Sequence, residues 1–318
     1  MSRFSRGKLS VVAPFYNEEQ IIVAFIERTL AVLNLNFDNY ELILIDDGST
    51  DHSALACMPF IQVNPAIRLI SFSRNYGHEI ALTAGLDHAA GDFVVLMDSD
   101  LQHPPELIPD LVKKSEEGYD VVCASRTNRV HQSLFKKITA HLFYAISRKM
   151  TKLNIRSDLG NYRLLTRVVV NSLKQMKESN RHLVMMFAYV GFKTAVIPYE
   201  CLERTVGRSK YGLRALINLS LDSIIGFSAR PLRLMSVFSV FISIVMMFYA
   251  GFVLIEKLFS HQALADGIAS IIFLISGLFS VLFLFLAIIS EYISRILIET
   301  KNRPLYYIKE DTTHDRFA

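Results

Sequence analysis

The chain has 318 residues, 51% of them apolar, and a formal net charge of +4. That length holds one catalytic domain of about 200 residues and something further, and the apolar share with its positive mean hydropathy is high for a purely soluble protein. The charge is mild and its basic residues gather beside the apolar segments, with no aromatic-laced patch, which argues against nucleic acid as a partner. Cys57, Cys123 and Cys201 are far apart and lack metal-ligand spacing, so they read as reduced, mostly buried thiols. The nine histidines show no ligand pattern.

In chain order, Leu9-Ser10-Val11-Val12-Ala13 reads as a strand running into Pro14-Phe15-Tyr16-Asn17-Glu18-Glu19. Tyr40-Glu41-Leu42-Ile43-Leu44-Ile45 is a second strand, ending in Asp46-Asp47-Gly48-Ser49-Thr50-Asp51. Gly48 permits a sharp turn, and Ser49, Thr50 or Asp51 can cap the next helix. Leu69-Ile70-Ser71-Phe72 leads into Ser73-Arg74-Asn75-Tyr76-Gly77-His78. Phe93-Val94-Val95-Leu96-Met97 stops at Asp98-Ser99-Asp100-Leu101-Gln102-His103-Pro104-Pro105-Glu106. Apolar runs of this kind are buried parallel strands. Four of them end in polar turns, each followed by a helix-like stretch. That is an α/β domain whose site lies along the carboxyl edge of a mostly parallel sheet.

Asp98 and Asp100 carry the sharpest chemistry. Residues i and i+2 of an extended strand share a side, so both carboxylates can reach one spot. Side by side they repel, and a hard divalent cation with oxygen ligands resolves the repulsion. Such a cation, on one or two carboxylates plus substrate phosphates, is the usual holder of a nucleotide diphosphate. An isolated Asp-x-Asp before Pro104-Pro105-Glu106 would more readily be a helix N-cap with a spare acid. The other strand-end loops overturn that reading.

Pro14-Phe15-Tyr16-Asn17-Glu18, Asp46-Asp47-Gly48-Ser49-Thr50-Asp51 and Asp98-Ser99-Asp100-Leu101-Gln102-His103-Pro104-Pro105-Glu106 resemble the signature blocks of family 2 glycosyltransferases with a GT-A fold. Within that family the chain resembles the polyisoprenyl-phosphate branch, which includes dolichol-phosphate mannose synthase. It is most similar there to bacterial bactoprenol (undecaprenyl-phosphate) glucosyltransferases with two carboxyl-terminal membrane helices. The resemblance covers nearly the whole chain, and its three blocks in order, each at a strand end, are specific together. Ser157-Asp158-Leu159-Gly160-Asn161-Tyr162-Arg163-Leu164 is similar to a further block of this branch, with Tyr162 in place of the commoner Phe. Arg204-Thr205-Val206-Gly207-Arg208-Ser209-Lys210-Tyr211 is similar to its Arg…Gly-x-Ser-Lys-Tyr block.

The rest of the chain speaks of a membrane. Residues 133–153 place Leu134, Phe135, Ile138, Leu142, Ala145, Ile146, Met150 and Leu153 on one face, with lysines and arginines elsewhere. That is a basic amphipathic helix suited to the headgroup plane, or to packing on the domain core. Residues 211–228 could form a second interfacial helix. Residues 234–255 and 267–290 hold no charge and are long enough to cross a bilayer. Arg204, Arg208, Lys210, Arg214, Arg230 and Arg233 precede the first span, and Arg295, Lys301, Arg303 and Lys309 follow the second. The loop between holds only Lys257 as a base. The positive-inside rule then places both termini in the cytoplasm and the loop outside, a multi-pass protein of the cell membrane. Residues 1–8 are polar and basic, and no amino-terminal export signal is expected.

The expected organisation is a cytoplasmic GT-A domain over 1–200, a juxtamembrane acceptor-binding segment over 201–232, two transmembrane helices within 233–294 and a cytoplasmic tail over 295–318. The resemblance implies an inverting transfer from a nucleotide sugar, foremost UDP-glucose, to the phosphate of a polyprenyl phosphate. It implies that Pro14, Tyr16, Glu18, Asp46, Asp47, Asp98 and Gln102 bind the donor. Asp98 and Asp100 would hold Mg²⁺ or Mn²⁺, and Arg204, Arg208, Ser209 and Lys210 the acceptor phosphate. Asp100, Asp158 and Arg163 are the expected catalytic residues, Asp158 as base or as a positioning group. Mannose, N-acetylglucosamine and aminoarabinose stay open as sugars, as does the oligomeric state, a homo-oligomer included. A processive polysaccharide synthase is disfavoured because the chain has no Trp and only two spans. A non-enzymatic lipid carrier is disfavoured by the intact acidic blocks.

Overall fold

The computed structural model describes residue 4 and residues 7–127, 159–199, 230–259 and 267–312. These form two units, one comprising Met1–Ser220 and Arg303–Ala318, the other Leu221–Asn302.

The first unit is built on a mixed sheet, eight-stranded among the described residues, in the order β7-β5-β6-β4-β1-β2-β3-β8. Its strands are β1 (Leu9–Phe15), β2 (Tyr40–Asp46), β3 (Ile67–Phe72), β4 (Phe93–Leu96), β5 (Val121–Arg126), β6 (Leu159–Thr166), β7 (Thr194–Tyr199) and β8 (Ile308–Asp311). The helices of this unit are α1 (Ile22–Asn36), α2 (Ser53–Val63), α3 (His78–His88), α4 (Ile108–Glu116), α5 (Arg167–Gln175) and α6 (Leu183–Val190). β1 is buried at every position, which is why it can lie at the centre with neighbours on both sides. It pairs in parallel with β2 and with β4. In α1, Ile22, Phe25, Ile26, Thr29 and Leu33 are buried, the spacing of a helix with one face on the sheet.

The chain order explains where a site can form. From β1 the chain winds out through β2 and β3, then crosses back to lay β4 on the other side of β1. The strand order therefore reverses between β1 and β4. Helices diverge at such a switch point and leave a crevice at the carboxyl ends of the two strands. β6 runs antiparallel between β4 and β5, and β8 runs antiparallel to β3 at the far edge.

The second unit holds α7 (Arg230–Phe259) and α8 (Ile268–Thr300). At about 1.5 Å per residue, either exceeds the roughly 30 Å hydrocarbon thickness of a bilayer. Within them, Leu232–Tyr249 and Gly277–Thr300 are long and apolar enough to cross a membrane. Phe238, Phe241, Phe248, Phe279 and Phe283 are exposed along them, a surface that water does not favour and lipid does. Phe238 and Phe285 meet edge to face across the pair.

Candidate active site

The four polar loops of the sequence converge at the switch point. The first and second interlock. Asn17, held at φ 55°, accepts a hydrogen bond from Thr50 N at 2.8 Å and donates its own N–H to Ser49 Oγ at 3.0 Å. Glu18 N donates to Ser53 Oγ at 2.8 Å, and Asp46 accepts from Ser49 N at 2.8 Å. Pro14, Asp46 and Asp47 are buried, while Tyr16 and Glu18 are half-buried beside them.

The third loop closes over Asp47. Its carboxylate accepts from Tyr76 N at 2.7 Å and Gly77 N at 3.0 Å. Burial raises the pKa of Asp47, against these two amides, and neighbouring Asp46 raises it further. Gly48, at φ +70°, is where the second and third loops touch. A Cβ there would lie 2.3 Å from the carbonyl carbon of Arg74.

The fourth loop carries Asp98 and Asp100. Three contacts fix its turn. Asp98 N donates to His103 Nδ1 at 2.9 Å, Gln102 N donates to Asp100 Oδ1 at 3.1 Å, and Ser99 Oγ donates to the Pro14 carbonyl at 3.0 Å. The last of these ties the end of β4 to the end of β1. Leu101 sits at φ 61°, a left-handed conformation that costs a side-chain-bearing residue about 1–2 kcal/mol. Strain of this kind persists where surrounding contacts over-determine the backbone.

The electrostatics single out Asp98. Burial works against its charge, but the cationic His78 and Arg126 beside it hold its carboxyl well below the usual carboxylate range. His78 Nε2 lies 3.2 Å from Asp98 Oδ1, and His103 Nδ1 lies 3.7 Å from Oδ2. Burial acts to lower the pKa of His78, yet the Asp98 carboxylate overrides it, with Glu79 and Asp47 adding, and pushes it up to about 9. His103 is kept neutral by burial, which suits its acceptor role toward Asp98 N. Its ring stacks on Tyr162 at 4.8 Å, and Tyr162 Oη donates to the Pro104 carbonyl at 2.7 Å. The hydroxyl at position 162 thus has a buried partner where a Phe would have none.

Asp98 Oδ1 is buried, and the His78 imidazole is 3.2 Å from it. Among the described residues, no group of three or more His, Cys, Asp or Glu is placed to hold a metal on protein atoms alone. A hard cation here would take carboxylate oxygens from Asp98 and Asp100 and complete its shell with ligand oxygens. The donor set fits Mg²⁺ or Mn²⁺ on a diphosphate.

Arg163 lies in β6 opposite Leu96, the last residue of β4. Its guanidinium is buried, packs 4.0 Å from the Phe187 ring centroid and donates to the Gly160 carbonyl, while its Nε has no partner. Asp158, Arg204, Arg208, Ser209 and Lys210 lie outside the described residues, as do the 133–153 segment and residues 211–228. Sequence reasoning assigned no role to His78, Glu79 or Arg126. His78 and Glu79 open α3 just after a strand-end loop, the one signal that could have drawn attention to them. Glu79 accepts from Asn161 Nδ2 at 3.3 Å and Leu183 N at 2.9 Å, joining α3 to β6 and α6.

The fold and the site define a class: an α/β domain that presents two carboxylates at its topological switch point, followed by two helices able to cross a membrane. Residues 10–173 match the glycosyl transferase family 2 profile. The chain is 41% identical over 302 residues to YkcC of Bacillus subtilis (strain 168), described as an uncharacterized glycosyltransferase, covering 95% of this chain and 93% of that one. It is 36% identical over 303 residues to a prophage-derived bactoprenol glucosyl transferase of Shigella flexneri, covering 95% and 98%. A solved mycobacterial protein shares the fold at TM-score 0.50 and 22% identity, over 69% of this chain and 73% of that one. The chain belongs to glycosyl transferase family 2, and the GT-A fold expected from its sequence is the fold it has.

Proposed function

We propose that the protein transfers a sugar, foremost glucose from UDP-glucose, to the phosphate of a polyprenyl phosphate at the cytoplasmic face of the cell membrane. The observation that carries this reading is the pair Asp98 and Asp100 at the switch point, with Asp98 Oδ1 buried against the His78 imidazole, in a chain that also holds two helices able to cross a bilayer. Likeness to bactoprenol glucosyl transferases over 95% of the chain supports the sugar and the lipid.

Pro14, Tyr16, Glu18, Asp46, Asp47 and Gln102 form the receptor for the nucleoside end of the donor. Asp98 and Asp100 would hold Mg²⁺ or Mn²⁺ against the diphosphate, where it supplies Lewis-acid stabilisation of the departing nucleoside diphosphate. His78 and Arg126 add positive charge beside Asp98, which suits an anionic donor. Arg204, Arg208, Ser209 and Lys210 bind the lipid phosphate at headgroup depth. The acceptor oxygen attacks the anomeric carbon in one displacement and inverts it. A phosphate monoester, with a second pKa of about 6, is largely a dianion near neutrality and needs little help from a base. Asp158 therefore orients Arg163, the acceptor or the sugar as readily as it takes a proton.

Basic residues on both flanks of the apolar helices support a cytoplasmic catalytic domain and cytoplasmic termini. Labelling of Gln262→Cys from outside intact cells, in a cysteine-free background, is the expected result; labelling only after permeabilisation reverses the topology. The donor is tested by screening UDP- and GDP-sugars with purified protein and undecaprenyl phosphate, read by the mass of the lipid product. A hexose adduct from UDP-glucose supports the reading. An adduct from another donor alone replaces glucose and leaves the class intact.

A further inference from the structure

We propose that the segment following the second apolar helix is a working part of the nucleotide-sugar site, with Tyr306 as a positioning residue for the loop that closes over Asp47. The inference rests on the reading of Asp47 as a donor-binding residue.

The segment is bound to the sheet more tightly than a solvated tail. β8 pairs with β3 through Ile70↔Asp311, Ser71↔Glu310 and Phe72↔Ile308. Arg68 donates to both oxygens of Asp311, at 2.9 and 2.5 Å. Leu69 N donates to Thr312 Oγ1, and Thr312 N returns a bond to the Leu69 carbonyl, each at 3.1 Å. Asp311 and Thr312 are buried. Covering an open sheet edge explains this much, since a bare edge strand invites unwanted pairing.

Tyr306 needs another explanation, because it precedes the strand and takes no part in the ladder. Its ring stacks on Phe72, centroids 4.9 Å apart and planes at 21°. Its hydroxyl donates to Asp87 Oδ2 at 3.3 Å. The next residue, Tyr307, accepts from Ser73 N at 2.9 Å, the first amide of the third loop. Phe72 in turn meets Tyr76 edge to face at 5.7 Å. Tyr76 and Gly77 are the residues whose amides hold the Asp47 carboxylate. A continuous line of contact thus runs Tyr306, Phe72, Tyr76, Asp47.

The loop also packs against Gly48 and holds a Ser73 Oγ–Tyr76 Oη contact at 3.2 Å. Ser73, Arg74 and Asn75 are exposed, and the Arg74 guanidinium lies over the Tyr76 ring itself, 4.1 Å from its centroid. Tyr76 is the aromatic anchor of the loop, and Phe72 is the surface it rests on. Removing the Tyr306 ring bares one face of Phe72, loosens that surface and weakens the amide cradle of Asp47.

The test uses the full-length protein in detergent, as wild type, Tyr306→Leu and Tyr306→Phe. Amide hydrogen exchange across residues 73–77 is read without ligand. UDP-glucose affinity in Mn²⁺, the KM for undecaprenyl phosphate and the thermal midpoint are read on the same preparations. Tyr306→Leu should speed exchange at Tyr76 and Gly77 and weaken UDP-glucose binding about two- to tenfold, the worth of an aromatic pair, while the lipid KM stays put. Tyr306→Phe keeps the stack and should restore both readouts. Unchanged exchange at Tyr76 and Gly77 in Tyr306→Leu overturns the proposal, as does a lowered thermal midpoint with donor affinity intact. If wild-type protein binds no UDP-glucose, the donor reading falls and the exchange arm still decides whether Tyr306 positions the loop.

Discussion

His78 Nε2 lies 3.2 Å from Oδ1 of Asp98, a buried carboxylate oxygen at the switch point. With its pKa pushed up to about 9, the imidazole is cationic at neutral pH. It faces the same oxygen that a divalent cation would use, so the two positive charges compete. His78→Gln should therefore tighten Mn²⁺ binding in the absence of donor by about three- to tenfold, as expected when one nearby like charge is removed at a partly exposed site. Titration followed by electron paramagnetic resonance of free Mn²⁺ reads this directly. Weaker binding in the variant would make His78 a helper of the cation and not its rival.

Gly48 is the residue where two site loops touch backbone to backbone. Gly48→Ala combines a left-handed φ with a Cβ 2.3 Å from the Arg74 carbonyl carbon, and backbone cannot swing aside as a side chain can. A cost of about 2–4 kcal/mol is expected, or roughly 4–16 °C in the melting midpoint of a domain this size. Donor affinity should fall with it. A midpoint within 1 °C of wild type, about the error of such a scan, would show that the loops part without cost.

Glu41 makes an acid-sensitive contact far from the site. It accepts from Lys8 Nζ at 2.6 Å, Ser10 Oγ at 2.5 Å and Ala90 N at 2.7 Å. Burial alone would raise its pKa, but these partners outweigh burial and lower it. A depressed carboxylate adds stability that is present in full above its unfolded pKa and is lost as pH falls through the folded one. Glu41→Gln should cost about 1–3 kcal/mol at pH 7, and the gap between variant and wild type should close below about pH 4.5. Urea titrations across that range, showing a gap that does not depend on pH, would place the effect in packing and not in charge.

Arg208 and Lys210 precede the first apolar helix in sequence, and a lipid phosphate needs charge-assisted donors at that depth. Arg208→Ala and Lys210→Ala should each lower lipid-dependent transfer about ten- to a hundredfold, the worth of a buried hydrogen bond to a charged group. Nucleotide-sugar binding should change little, because the proposed donor site lies at Asp47 and the strand-end loops. Collapse of donor binding with an intact lipid response would move both residues to the diphosphate side.

Much of this was legible in the sequence because it is local. Phe93 to Met97 is apolar without a break and ends at two carboxylates, so strand and site declare themselves together. Residues 234–255 fall within α7, and 267–290 coincide with α8 from its N-cap Gly267 onward, because nothing charged interrupts them. What was not legible depends on partners distant in the chain. β8 reads Ile308-Lys309-Glu310-Asp311, too charged and too short to suggest a strand, and it forms because Arg68 and the open edge of β3 lie waiting 243 residues away. His78 carries no spacing signal toward Asp98, and only the crossing from β3 to β4 brings α3 to the end of β4. The position of Arg163 against Phe187 likewise follows from β6 running antiparallel beside β4, which no local pattern announces.

We propose that Asp98 and Asp100 turn over a nucleotide sugar onto a lipid phosphate with a divalent cation. This is tested most directly by the mass of the lipid formed from undecaprenyl phosphate and UDP-glucose in Mn²⁺, by wild type, Asp98→Asn and Asp100→Asn at equal thermal stability. Wild type should yield the phosphate-linked hexose and lose it in excess chelator, and both variants should yield none above background. Wild-type product from either variant, or an undiminished yield in chelator, would contradict the account.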